Sequence, residues 1–192
     1  MLAGQATTYT PLSLLPSPAN LMRFPSVLIL AAAAVPSLVA AQSPVAHAFR
    51  DNAKEVGKNL MAAAELMPAD KYGYKPTTAQ MSWGAIMMHL AQGNDFLCGT
   101  IGGTKAPERS KVGVADGKEA IVKRLKETFH FCEEALEHLD DSKLGEELPM
   151  FGGKKMSRAA AETLTTGDWA DHYSQAAIYL RLNGLLPPTA KK

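Results

Sequence analysis

The sequence predicts an all-α fold, a four-helix bundle preceded by an export leader. Four segments repeat apolar residues at alternating threes and fours, and the breaks between them hold Pro, Gly and Asn-Gly punctuation. No segment alternates with period two, so no strand is expected. The 192 residues suffice for one domain, and 46% hydrophobic with 20% charged residues is an ordinary globular balance.

Before the first periodic segment, Met22-Arg23-Phe24-Pro25 leads into an apolar stretch from Val27 through Ala41, interrupted by Pro36 and Ser37 and ending in small residues before Gln42. A positive start, an apolar middle and a small-residue end follow the plan of a secretory signal peptide, too short and broken for a comfortable membrane span. Met22 reads as the start, residues 1–21 as an upstream extension, and 42–192 as the exported domain, periplasmic or secreted. No stable membrane insertion is expected after cleavage.

The first helix is expected from about Pro44 to Met67, with Phe49, Ala53, Val56, Leu60, Ala63 and Met67 on one stripe. Residues 68–77 carry turn chemistry, and Pro76 keeps its neighbour out of the helical region. Ser82 is a candidate N-cap for a second helix carrying Trp83, Ile86, Leu90 and Leu97 to about Cys98, where Gly99, Gly102 and Gly103 are expected to stop it. The third helix places Ile121, Leu125, Thr128, Cys132, Leu136 and Leu139 on one face. The connection from Leu144 to Met156 contains Pro149 and Gly152-Gly153. Ser157 then caps a fourth helix with Leu164, Asp168, His172, Ala176, Tyr179 and Leu182 on its expected core face, ended by Asn183-Gly184. The loop between helices two and three, roughly eighteen residues, exceeds what antiparallel neighbours need and is long enough to cross the bundle.

The formal net charge is +1, and Arg23 is the only charged residue before Gln42. Basic residues alternate with acidic ones, as in Lys118, Glu119, Lys123, Arg124, Lys126 and Glu127, which reads as a solvated helix face. Such a surface lacks the one-sided Lys and Arg concentration of a nucleic-acid binder.

Asp168 and His172 interrupt the apolar face of the fourth helix. Four residues apart, they lie about 40° apart around the axis and about 6 Å along it, close enough to ligate one ion. His89, three residues after Ile86 and seven before Phe96, can also look inward. A buried imidazole and carboxylate are costly unless paired or bound to a cation. Two readings follow from spacing: a divalent metal held by His89, Asp168 and His172, or a plain Asp–His pair with a structural role. His47, His130 and His138 read as surface residues.

Three segments then carry a resemblance. His89-Leu90-Ala91 behind a Trp83-Gly84 helix start, Asp168-Trp169-Ala170-Asp171-His172-Tyr173, and the run from Tyr179 to Pro188 together resemble the DinB-like superfamily, and Met67 to Tyr72 with Lys75-Pro76-Thr77 looks like its first connection. The resemblance covers nearly the whole domain. It implies an up-down-down-up four-helix bundle and a metal triad of one histidine from the second helix and two from a later one. His89 and His172 match two of those positions, and Asp168 stands where the family usually has histidine. Either a carboxylate replaces an imidazole as ligand, or the site has become a metal-free pair. Zinc, nickel, iron and manganese all suit the ligand set.

Members that look like this include thiol-dependent transferases and isomerases, and others grouped with metal-dependent hydrolases. The expected function is a divalent-metal-binding bundle acting on a small-molecule substrate by hydrolysis or thiol transfer. The alternative is a metal-free, non-catalytic bundle that binds a small ligand or has a structural role. Homodimerisation through an apolar face is compatible with a bundle of this size. If helices two and three run parallel, as the crossover loop and the resemblance suggest, Cys98 and Cys132 can pair in an oxidising compartment; two small buried apolar residues are the other reading.

Overall fold

The computed structural model of the protein describes residues 43–190, and the expected extension, leader and cleavage point lie outside them. Four α-helices among the described residues surround one apolar core: α1 (Pro44–Leu66), α2 (Trp83–Gly102), α3 (Gly117–Leu136) and α4 (Arg158–Leu182). None is long and apolar enough to cross a membrane.

Each helix begins where its sequence supplies a start. Pro44 occupies the first turn of α1, where a missing N–H costs nothing. The next two amides are taken by a distant carboxylate: Val45 N and Ala46 N donate to Asp141 Oδ2 and Oδ1 at 3.1 and 2.8 Å, and Asp141 N donates back to Ser43 Oγ. An anion at the positive end of a helix is favourable on both charge and hydrogen-bonding grounds. Ser82 and Ser157 cap α2 and α4 as expected, each accepting from a backbone amide three residues on. The structured loop after α1 is held by Tyr72, whose hydroxyl donates to the Ala64 carbonyl at 2.7 Å.

Contacts between α2 and α3 advance together along both helices. Gly84 lies against Ile121, Asn94 bonds Thr128, Cys98 is joined to Cys132 and Gly102 meets Ala135. The two helices therefore run side by side in the same direction, and segment 103–116 crosses between opposite ends. Close approach is possible because Gly102 has no side chain: a Cβ there would sit 2.0 Å from the Ala135 carbonyl oxygen. Arg109 pins the crossing segment, donating through Nε and Nη2 to both Asp95 carboxylate oxygens at 2.6 and 2.9 Å. This bidentate, partly buried pair is the strong form of the interaction.

Three expectations are corrected. Helix α2 does not stop near Cys98; Gly99 lies inside it, packed on the Thr104 carbonyl, and the chain turns only at Gly103, whose φ of 67° ends the helix. The connection to α4 holds strands where none were expected: β1 (Glu147–Pro149) pairs antiparallel with β2 (Lys155–Ser157). Each strand has three residues, too few to display a period, and the turn uses left-handed Gly152 and Gly153. Third, the buried face of α4 is the expected one only in part: His172, Ala176 and Tyr179 are buried as expected, but Leu164, Asp168 and Leu182 are not. Leu164 and Leu182 are 43% and 57% exposed, while Ala161, Thr165, Trp169 and His172 point inward. Trp169 is fully buried in the core, and Asp168 beside it lies half-buried at the edge of that face.

Candidate metal centre

His89 stands on the outer side of α2, and Asp168 and His172 stand one turn apart on α4. His89 is exposed rather than inward-looking, Asp168 is half-buried and His172 is buried. The three side chains nevertheless converge: one ligand atom from each lies within 4.8 Å of the others. The two imidazole rings are 5.0 Å apart between centroids and nearly perpendicular. His172 Nε2 is 3.5 Å from Asp168 Oδ1. The site is thus a shallow one at the seam of α2 and α4, with its solvent side formed by His89.

What fixes the seam is a polar chain one layer inside. Trp169 Nε1 donates to Asn94 Oδ1 at 2.8 Å, Asn94 Nδ2 donates to Thr128 Oγ1 at 3.3 Å, and Thr128 donates to the Leu125 carbonyl at 3.0 Å. All three side chains are buried, and every link is satisfied, so the chain ties α4 to α2 and α2 to α3 at one register. Trp169 follows Asp168 directly, and Asn94 lies five residues after His89. Sequence reading placed Thr128 on the core face of the third helix but missed Asn94 and the core position of Trp169, although Asn94 carried a signal: it stands four after Leu90 and three before Leu97, on the apolar stripe of α2.

Electrostatics favour a cation at the triad. Asp168 holds the His172 imidazole above its ordinary range, first through their direct contact, while burial pulls the other way. A metal ion would have to displace any proton on the ring nitrogen it uses as a ligand. His172 Nδ1 is buried with no hydrogen-bond partner, so the ring is oriented by packing and by Asp168 rather than by a second acceptor. Two imidazoles and a carboxylate make a donor set that zinc, nickel, iron and manganese accept, and three ligands leave coordination positions open. The residues fit such an ion.

The remaining histidines lie elsewhere. His130 is exposed beside Glu134, and His138 is exposed next to Glu137. Grooves also lie away from the triad, among them one of about 190 Å³ between α1 and α3 and one of about 520 Å³ between α1 and α4.

Residues 53–176, well over half the chain, match the family model described as the DinB superfamily. The chain belongs to the DinB superfamily. Solved structures share the DinB-like fold. A DinB-like protein from Bacillus subtilis is 19% identical with a TM-score of 0.61, covering 76% of this chain and 99% of its own. A DinB-like protein from Bacillus cereus is 15% identical with a TM-score of 0.62, covering 74% and 95%. A conserved protein from Enterococcus faecalis is 11% identical with a TM-score of 0.55, covering 71% and 95%. No curated protein matches. Asp168, where the resemblance implied a third imidazole, places a carboxylate oxygen within 4.8 Å of a ligand nitrogen of each histidine.

Proposed function

We propose that this chain is an exported DinB-family protein that binds one divalent transition metal through His89, Asp168 and His172 and acts on a small molecule there. The observation that carries the reading is the convergence of three donor atoms within 4.8 Å from two separate helices. When bound, such an ion would supply Lewis-acid activation, of the kind used either for hydrolysis or for holding a small thiol as its thiolate. The chain's own residues supply the geometry. Asp168 offsets the positive charge and holds the His172 ring, His89 completes the set from the solvent side, and the Trp169–Asn94 bond keeps the two helices in register.

Hydrolysis suits the location better than thiol transfer, since small thiol cofactors are scarce outside the cytoplasm. Export itself is supported by the leader pattern and by the disulfide between Cys98 and Cys132, whose Cα atoms are 5.0 Å apart. The contact of His172 Nε2 with Asp168 Oδ1 at 3.5 Å favours the second reading, a metal-free pair in a ligand-binding or structural bundle.

Elemental analysis of the mature protein, purified without an affinity tag, separates the two. Near-stoichiometric metal in the wild type that disappears in Asp168→Ala and His172→Ala is the expected outcome. A wild type that stays metal-free after incubation with divalent ions, or variants that load as well as wild type, would sink the metal reading.

A further inference from the structure

Glu162 is a buried carboxylate with no role in the fold or the triad. It is 3% exposed, and neither of its carboxylate oxygens has a hydrogen-bond partner. The charged groups that influence it are Arg158, Asp141 and Arg50, and none is bonded to it, although Arg158 Nε is itself buried without a partner. The Arg158 guanidinium donates to Glu146 at 2.8 Å, Arg50 Nη1 donates to the Leu139 carbonyl at 2.7 Å, and Asp141 caps α1. Burial accordingly pushes the Glu162 carboxyl up. A desolvated carboxylate without donors is among the most costly arrangements a core can hold, and a donor from outside would relieve it.

Glu162 also forms part of the wall of the groove of about 520 Å³ between the first halves of α1 and α4. That volume is ordinary for a small-ligand site. The rest of the wall is mainly small or apolar, including Val45, Phe49 and Ala170, with Val45 left 47% exposed. Gly167 contributes no side chain, and a Cβ built there meets nothing within 4 Å. Asn52, Thr163 and Thr166 are the other polar residues of the wall, and one acid among neutral residues gives no ligand set for a metal ion. It suits an organic cation with an apolar body, and a primary ammonium brings three N–H donors to a carboxylate that has none.

We propose that the groove between α1 and α4 binds a small primary alkylammonium, its head taken by the Glu162 carboxylate and its chain laid along Val45, Phe49 and Ala170. This site is separate from the His89–Asp168–His172 triad and does not depend on it.

The test is calorimetric titration of the oxidised full chain, with a chelator present, using hexylammonium, hexanol and hexanoate as probes. Wild type should bind hexylammonium at least roughly tenfold more tightly than hexanol, and hexanoate not at all. Glu162→Gln, which keeps the shape, should lose that preference, and Gly167→Leu, which fills the groove from its open side, should lose binding altogether. Circular dichroism checks that both variants are folded. Equal affinity for hexylammonium and hexanol, unchanged binding in either folded variant, or no binding to wild type would each overturn the proposal.

Discussion

Replacing Asn94 with alanine tests whether the buried polar chain sets the register of the bundle. Asn94 is fully buried, accepts from Trp169 Nε1 at 2.8 Å and donates to Thr128 Oγ1 at 3.3 Å. Two hydrogen bonds at about 1 kcal/mol each are lost, and the indole N–H is left buried without an acceptor, which adds about 1 kcal/mol or more. Thr128 is less affected, since its hydroxyl still donates to the Leu125 carbonyl. The expected loss is therefore about 3 kcal/mol, or roughly 6–12 °C in Tm for a domain of this size. Urea unfolding of the oxidised protein, followed by tryptophan fluorescence, measures it, and the double variant with Trp169→Phe should lose less than the sum of the singles. A loss under about 0.5 kcal/mol, or strict additivity, would refute the argument that the chain acts as one network.

Reducing the Cys98–Cys132 disulfide, or replacing both residues with alanine, should lower stability by about 4 kcal/mol, as expected for a sequence separation of 34; denaturation with and without reductant reads it. Gly102→Ala should cost on the order of 2 kcal/mol or more, because its Cβ would lie 2.0 Å from the Ala135 carbonyl oxygen and backbone must move; the same unfolding assay applies, and a neutral result would mean that α2 and α3 slide apart freely. Glu162→Gln should stabilise the unliganded protein at neutral pH. Because burial raises the folded-state pKa of Glu162, the folded protein holds the proton longer than the unfolded chain, so this group's contribution to stability falls as pH rises from the ordinary carboxylate range through the raised value. The variant lacks that slope, and parallel slopes across a pH series would contradict the assignment.

The helices were legible because their signals are local. Ser82 and Ser157 cap where a serine precedes an apolar run, Pro44 opens α1, and Gly103 and Gly184 take left-handed conformations just past helix ends. What stayed hidden depends on partners far away in sequence. The α1 start needs Asp141, which no pattern near Ser43 announces. The face of α4 depends on Trp169 finding Asn94 across the bundle, so counting leucines selected Leu164 and Leu182, both of which face solvent. His89, Asp168 and His172 could be grouped by residue type and spacing, but the placement of His89 on the exposed side could not, because α2 is apolar over most of its circumference. The β1–β2 hairpin was too short to carry a period, and only its glycine pair marked the turn.

The bond between Cys98 and Cys132 makes a closed covalent ring out of the ends of α2 and α3 and everything between them. A protease that cuts in segment 103–116 therefore produces a nick and releases no fragment. The severed ends stay tethered near the positions that Arg109 and Asp95 already hold. Such a cut relocates the chain termini without dismantling the molecule, so nicked protein should run as two pieces only after reduction.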